Sequence, residues 1–594
     1  MGTESDPIPA GKRAEIVLHG VESDHTVIMT EGMFLVNKVV AVVGNLTAHG
    51  TPTARNAWTK LVDTAAAGAT TLVVRGDVSG WPAGARVGVS ATEYPDPPGA
   101  TETEVRSIVG APVYDAAADT TTVRIDAALS HRHFAGDVSG EPGGHWPVAR
   151  LAAAVVLLGG RSNVVFRSEG DESFHGGGLV IAGSDDGQWI GHGEVSDVDF
   201  IGFGKHYFQL PAVSFLFLGK SVGKNVPSKI QRCVFSDSQA GAIELRGASE
   251  IEVLDNAFHK TYRTAVWVTK ESLPNSITIR GNAALETLRH PREAEGWWRP
   301  FAAFLVEVTA KELLGNLAAG STGSGFVLRP KLEACESPAG QASAGWAQEA
   351  DLNEAVGCLT GFFILRACKE TCSQCAILDS AVAWKNSHAG VITVDQSSNM
   401  KVQSVLLADN HIGMTLNFHR AGQDLQHRVF HHNMTVFGST PASVCGASTV
   451  CHALGPTDTL AKNCNSVVGS TFRRVGVLTH MVNNLPKLCE TNPKLKVCRP
   501  PNTPVKPCVM TWEKREGTQG SRYSEAHWSS ITFGHFTGDD CGMTSAGVAL
   551  QPQAVHAPIP QFFSDVRWLS SADESGRINM EHGVSAGDDG TQHA

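Results

Sequence analysis

The chain has 594 residues, a formal charge of −11 and 42% hydrophobic residues. Its charge is spread rather than blocked and no Lys/Arg cluster is interleaved with aromatics, which points away from a nucleic-acid partner; no run of 18 apolar residues argues for a membrane span. Gly 61 and Pro 28 together make about 15% of the chain, below the range of low-complexity disorder, so a folded protein is expected.

Residues 1–56 read as the C-terminal end of a small β domain, with Ala14-Glu-Ile-Val-Leu-His-Gly and Val39-Val-Ala-Val-Val-Gly-Asn-Leu as strands. The opening Met1-Gly-Thr-Glu-Ser-Asp lacks the apolar core of a secretory signal. Residues 57–150 predict a second small β module, in which Thr71-Leu-Val-Val, Arg86-Val-Gly-Val-Ser, Glu104-Val-Arg-Ser-Ile-Val and Thr121-Thr-Val-Arg-Ile-Asp lie between turns.

From 151 to 438 a small residue repeatedly leads three or four mostly apolar ones: Gly178-Leu-Val-Ile, Ser214-Phe-Leu-Phe-Leu, Gly241-Ala-Ile-Glu-Leu, Thr264-Ala-Val-Trp-Val, Gly325-Phe-Val-Leu, Gly361-Phe-Phe-Ile-Leu, Gly390-Val-Ile-Thr-Val and Gly413-Met-Thr-Leu. Adjacent copies start 23 to 36 residues apart, and Ala303-Phe-Leu-Val fits the one longer gap. A second phrase keeps step, an apolar residue followed five positions on by another: Val195 to Phe200, Ile230 to Phe235, Val253 to Phe258, Ile377 to Val382, Val402 to Leu407. Short strands at such a period mean stacked coils, and runs this short exclude helical repeats. The expectation is an all-β, right-handed parallel β-helix, with loops projecting at 285–300 and 333–356.

Residues 439–523 read as a Cys/Pro-rich loop region, strands return at 524–582, and 583–594 read as a disordered tail. Of the 13 cysteines all but Cys233 follow residue 334, a load that suits an oxidising compartment. Cys358, Cys368, Cys372 and Cys375 form the densest group and are disulfide candidates, with half a zinc site or free buried thiols as alternatives. Cys445 and Cys451 are expected to close another loop. Asn45 and Asn433 head glycosylation sequons. His419, His427, His431 and His432 are close in sequence, but neighbours on a strand point oppositely, and His131 with His133 reads as a turn pair. No metal site or cofactor is expected.

Several strings resemble one family: Gly44-Asn-Leu-Thr-Ala-His-Gly-Thr-Pro, Ala57-Trp-Thr-Lys-Leu, Ala67-Gly-Ala-Thr-Thr-Leu-Val-Val and Trp81-Pro-Ala-Gly-Ala-Arg-Val-Gly-Val, then Glu104-Val-Arg-Ser-Ile, Leu129-Ser-His-Arg-His, Val156-Leu-Leu-Gly-Gly, Asp197-Val-Asp-Phe and Trp528-Ser-Ser-Ile-Thr-Phe. Their order resembles the junction between the eight-glycine domain and the β-helix in fibrocystin, fibrocystin-L and the cell-surface hyaluronidases. The resemblance implies an extracellular or cell-surface, carbohydrate-associated or adhesive β-helix and, for one branch, hyaluronan depolymerisation. It also implies that signal, anchor and the front of the eight-glycine domain belong to segments outside this chain.

Aligning the repeats makes Ile243, Leu245, Val266 and Val268 inward residues and leaves Glu244 and Trp267 outward on adjacent coils. An aromatic face beside an acid suits a sugar ring, while a solvated surface acid is the plainer reading of Glu244. Asp237, His259, Lys260 and Arg263 lie in the turns of the same coils, so Glu244, Asp237, His259 and Arg263 are the catalytic candidates and Trp267, Glu244 and Lys260 the ligand-binding ones. No paired-carboxylate pattern stands out. The leading expectation is a non-catalytic β-helix binding a glycan or a matrix or surface protein. A glycosaminoglycan-depolymerising enzyme and an architectural component of a surface coat or filament are the alternatives.

Overall fold

The computed structural model describes residues 1–440, with the intervals 24–27, 31–32, 53–55, 95–100, 139–149, 171–173, 184–190, 207–208, 219–226, 292–300, 336–348, 368–371 and 420–427 and a few single positions excepted. Beyond them it describes the strands Arg474–Val482, Glu525–Gly534, Ser545–Leu550, Gln561–Leu569 and Ile578–Met580. The expected tail 583–594 and most of the expected 439–523 stretch lie outside the described residues. Among the described residues no helix is long and apolar enough to cross a membrane.

The chain is a parallel β-helix. It winds repeatedly through three sheets, and each strand pairs in parallel with its counterpart one coil away. Sheet 1 is 14-stranded, sheet 2 13-stranded and sheet 3 6-stranded. Sheets 1 and 3 are separate in the early coils and merge from Cys372–Trp384 onward, where single long strands span both. The four residues expected inward, Ile243, Leu245, Val266 and Val268, are all 0% exposed. Inside, phenylalanines stack coil on coil: Phe166, Phe200, Phe235 and Phe258 at 4.8 to 5.2 Å, and Phe304, Phe326 and Phe362 at 4.7 to 4.9 Å. Parallel strands step by about 4.8 Å, so one aromatic per coil places rings at stacking distance.

The small leading residue of the repeat has a steric cause. Gly361 and Gly390 stand one above the other, and a Cβ on Gly361 would lie 2.5 Å from the Gly390 carbonyl oxygen and 3.1 Å from Asn386 Nδ2. A side chain there would displace the buried asparagines that close the corner.

Those corners need one left-handed residue per coil. Between sheets 3 and 1 it is Arg232, Asp255, Gly281 or Gly315, and between sheets 1 and 2 it is Asp237, Lys260, Glu286, Gly320, Gly357, Lys385 or Asp409. Behind the first column stands a buried ladder, Asn256 donating to Asn282, Asn282 to Asn316 and Asn316 to Asn353, at 2.9 to 3.0 Å. Behind the second, Asn386 donates to Asn410 at 2.8 Å. These side chains satisfy corner carbonyls and N–H groups that neither sheet can reach.

Three boundaries differ from expectation. The strands Ala14–His19, Val39–Val43 and Asn45–His49 pair with Val164–Glu169, Gly178–Ala182 and His192–Ser196, so residues 1–50 form the first coil of the solenoid. The antiparallel module is inserted between coils 1 and 2 and includes Ala154–Leu157, which pairs with Trp58–Lys60 and Arg86–Val89; it therefore ends near 158 rather than 150. The expected loops also begin later or end earlier, because Ala283–Leu288 and Asn353–Val356 are strands of sheet 1.

The module lies along the outer face of sheet 1. Phe134, Leu151 and Val156 of the module share a buried cluster with Leu285, Trp384 and Leu406 of the solenoid. One phrase pair slips for this reason: Leu378 and Ala383, not Ile377 and Val382, face the solenoid core, while Val382 faces the module. When both faces of a strand are apolar, alternation no longer fixes its register.

Candidate functional site

The module's footprint decides which surface can meet a ligand. Lys60 Nζ is 2.6 Å from Glu354 Oε2, Trp384 Nε1 donates to Glu354 Oε1 at 2.8 Å, and Lys385 Nζ is 2.8 Å from Glu93 Oε2. Together with the buried cluster that runs along sheet 1 from Val234 to Phe437, these contacts commit its outer face to docking.

On the outer face of sheet 2, Ser214, Glu244 and Trp267 occupy one register column on three successive coils, so Glu244 and Trp267 stand side by side as the sequence predicts. Glu244 is not the solvated acid of the plainer reading: it is 2% exposed. Arg246, two residues on and hence on the same face, donates to Glu244 Oε1 from Nε at 3.0 Å and from Nη2 at 2.5 Å. Ser214 Oγ lies 3.5 Å from Glu244 Oε2. Burial pushes the Glu244 carboxyl above the usual carboxylate range, against the pull of Arg246 and Ser214.

The Arg246 guanidinium, 43% exposed, is 6.0 Å from the centre of the Trp267 ring. Trp267 Nε1 donates to Glu307 Oε2 at 3.0 Å, and Arg329 Nε donates to the Glu307 carbonyl at 2.6 Å. The indole is thus fixed in rotation between one carboxylate that holds its neighbouring arginine and another that holds its ring nitrogen. This arrangement can offer a flat apolar face and a cation to a ligand, with Glu244 buried beneath as the support of Arg246. Sequence reasoning missed Arg246, Glu307 and Ser214. Arg246 was signalled by its i+2 position to Glu244, and Glu307 by the register of Leu305 with Trp267.

The remaining candidates belong to another network. His259 lies on sheet 1 in the strand Ala257–Tyr262, 5% exposed, with Nε2 3.1 Å from Glu286 Oε2; Thr101 of the module donates to Glu286 Oε1 at 2.7 Å. Burial raises the Glu286 pKa, but the bonds from His259 and Thr101 bring it below the usual range overall. Asp237 and Lys260 are the left-handed corner residues of adjacent coils, with Nζ 4.0 Å from Oδ1. Arg263 is also left-handed and its N–H donates to the Leu288 carbonyl. These four therefore build the corner beside the module rather than converging on Glu244. Asp197 of the resemblance strings is likewise an anchor, held by Arg232 Nη2 at 2.7 Å.

The cysteine expectations divide. Cys375 is in a disulfide, but its partner is Cys335, which closes the antiparallel strand Lys331–Glu333 onto Cys372–Trp384. Cys358, expected in a disulfide, is instead a free buried thiol whose pKa burial pushes up to about 12. It occupies the corner ladder directly before Asn386, donating its N–H to Asn386 Oδ1 at 3.1 Å and directing Sγ to the Val356 carbonyl at 3.4 Å. Cys233 heads the other ladder in the same way. Cys368, Cys445 and Cys451 lie outside the described residues, as does the side chain of Cys372.

Asn45 is exposed at the start of its strand, whereas Asn433 is a half-buried left-handed residue within Arg428–Phe437. His131 and His133 differ sharply: His133 is 0% exposed with Nε2 3.1 Å from Glu104, while His131 is exposed beside Glu102. His431 is buried and His432, facing the other way, reaches Ser529 Oγ at 3.0 Å. Among the described residues no group of three His, Cys, Asp or Glu is arranged to hold a metal ion.

The strand pairing defines a parallel β-helix, and comparison with known proteins bears on its first coil. Residues 1–62 match the G8 domain. No curated protein matches the chain. Among solved structures, the tailspike protein gp49 from Pseudomonas phage LKA1 aligns at 8% identity and TM-score 0.19, covering 96% of this chain and 73% of its own. The tailspike gp61 of Pseudomonas phage phi297 aligns at 8% identity and TM-score 0.20, covering 96% and 71%. The catalytic domain of a GH87 alpha-1,3-glucanase aligns at 8% and 0.27, covering 89% and 98%. At those scores the fold rests on the strand pairing of this chain and not on the likenesses.

Proposed function

We propose that this chain is an extracellular β-helix that binds an acidic glycan across sheet 2 without cleaving it. The observation that carries this reading is the Arg246 guanidinium held over the half-buried Trp267 ring by a buried Glu244. An indole face takes the apolar side of a pyranose, and a guanidinium takes a carboxylate in bidentate fashion. A protein of net charge −11 needs such a local cation to hold a polyanion. The G8 match and the Cys335–Cys375 disulfide support an extracellular setting.

Calorimetric titration with size-defined hyaluronan oligosaccharides tests the reading. Trp267→Ala is expected to weaken binding by roughly 10-fold or more, and raising salt is expected to weaken the wild type more than Arg246→Ala. Equal affinity of all three proteins overturns it. One observation favours a second reading, cleavage: Glu244 is a carboxyl whose burial favours the protonated form, as a general acid requires. Shortened hyaluronan that disappears with Glu244→Gln would replace binding by hydrolysis.

A further inference from the structure

A different polar constellation lies on the first three coils, away from sheet 2. Glu194 Oε1 is 3.0 Å from His192 Nε2, and Ser228 Oγ is 3.3 Å from His192 Nδ1. A carboxylate only accepts, so Nε2 carries the imidazole proton and Nδ1 is left to accept from the Ser228 hydroxyl. The Ser228 oxygen takes the Gly193 N–H at 3.2 Å, which fixes its position.

The solenoid sets this geometry. His192 and Glu194 are two apart on the strand His192–Ser196 and share its outer face. Ser228 opens Ser228–Gln231 on the next coil, where Lys229 stands in register with Glu194. The side chains of His192 and Glu194 are 12% and 27% exposed and Ser228 is 6% exposed, so the imidazole and carboxylate border solvent and the hydroxyl lies just beneath them.

A fourth member comes from coil 1. His49 is 3% exposed, and its Nε2 lies 3.7 Å from Glu194 Oε2 with no hydrogen-bond partner among the described residues. The carboxylate thus sits between two imidazoles from adjacent coils, and the hydrogen bond from His192 holds it below the usual carboxylate range. A buried imidazole nitrogen left without a partner beside a hydroxyl–imidazole–carboxylate chain is costly for a structural role alone.

We propose that Ser228, His192 and Glu194 act as nucleophile, base and orienting acid in the hydrolysis of short-chain carboxylic esters, of which an O-acetyl group on a sugar is the type. Ser228 Oγ attacks the ester carbonyl carbon while its proton passes to His192 Nδ1. The bond to the alkoxy oxygen then breaks, and that oxygen leaves with the proton from His192. A water, deprotonated by the same nitrogen, attacks the acyl-serine, releasing the carboxylic acid and restoring Ser228. Glu194 holds the imidazolium through Nε2, and Lys229 adds positive charge on the same face. Its surroundings, His49, Lys229 and the Glu4 paired with Lys229 at 3.5 Å, are polar, which suits an acetyl group and not a long acyl chain.

The full chain is incubated with a fluorophosphonate probe and the labelled peptide is mapped, and turnover of p-nitrophenyl acetate and release of acetate from an O-acetylated oligosaccharide are followed in parallel. Labelling at Ser228 is expected, with hydrolysis at least about 100-fold faster than in Ser228→Ala and Glu194→Gln lowering kcat while shifting the pH profile. Ser228→Cys guards against a variant that fails to fold: its thiol is expected to react with iodoacetamide at neutral pH faster than that of Ser228→Cys/His192→Gln. Absence of labelling at Ser228, hydrolysis unchanged in Ser228→Ala, or equal alkylation of the two cysteine variants overturns the proposal. None of these readouts depends on glycan binding at Trp267.

Discussion

Asn282 illustrates how a single side chain holds a coil in place. It is 0% exposed; its oxygen accepts from Asn256 N–H at 3.0 Å and Nδ2 at 2.9 Å, and its Nδ2 donates to the Val253 carbonyl at 2.9 Å and to Asn316 Oδ1. Asn282→Ala removes all of these and leaves buried donors and acceptors in two neighbouring coils unmatched. The expected loss is about 3 kcal/mol or more, read as a lowered urea midpoint. Arg280→Ala, two residues away on the exposed face, is expected to cost under about 0.5 kcal/mol, because its pairing with Asp351 at 3.8 Å is a surface contact. Turn pairs such as Asp255-Asn256 and Asp409-Asn410 were legible in the sequence, but the ladder was not. Its Cys358 rung shows why: thiol spacing invited a disulfide, whereas the alignment of Gly357-Cys358 with Lys385-Asn386 is a property of the coil and not of cysteine chemistry.

At the level of elements, the repeat made the strands and their inward residues legible, and the candidate pair Glu244 and Trp267 came out in register because the inward pairs Ile243 with Val266 and Leu245 with Val268 flank it and fix the faces. What the repeat could not reveal is the module's docking, since the contacts between Lys60 and Glu354 or Tyr94 and the Asp409 carbonyl span hundreds of residues. Docking also explains the burial of Val382 and Trp384 on what would otherwise be a wet face. Because Lys60 and Glu354 are 13% and 6% exposed, breaking the pair from one side leaves a desolvated charge. Lys60→Met is expected to destabilise the protein by about 3 kcal/mol, and Lys60→Met/Glu354→Gln by clearly less than the sum of the single changes. A double-mutant cycle on thermal unfolding measures the coupling; additive effects would show that the pair does not fasten the module.

Across the whole molecule, stability in a solenoid accumulates from each coil and its neighbours, so the ends can open independently of the middle. The module staples the coils from Val234 to Phe437, and coils 1 to 3 lie outside that staple. They are joined instead by buried amines: Lys205, 0% exposed, donates to the Lys38 carbonyl at 3.1 Å and the Gly176 carbonyl at 2.6 Å, while Lys38 Nζ reaches the Glu169 and His175 carbonyls at 2.9 and 3.0 Å. Burial, helped by the nearby Lys38 charge, pulls the Lys205 pKa down to about 7 from 10.5. A neutral amine has two N–H groups, and both find carbonyls here. Between pH 7 and 10.5 the folded coils therefore hold fewer protons on this group than the unfolded chain does, and stability rises with pH, by up to about 1.4 kcal/mol per unit. Below pH 7 the full penalty of protonation in a buried site applies. Hydrogen exchange of the strands Ala14–His19 and Val39–Val43, corrected for intrinsic rates, is expected to slow between pH 7 and 9 in the wild type and to lose that dependence in Lys205→Met, while the stapled strands Ala283–Leu288 and Leu317–Ala319 respond to neither change. A uniform response along the chain would mean that the solenoid unfolds as one unit and that the first coils draw their stability from the module as well.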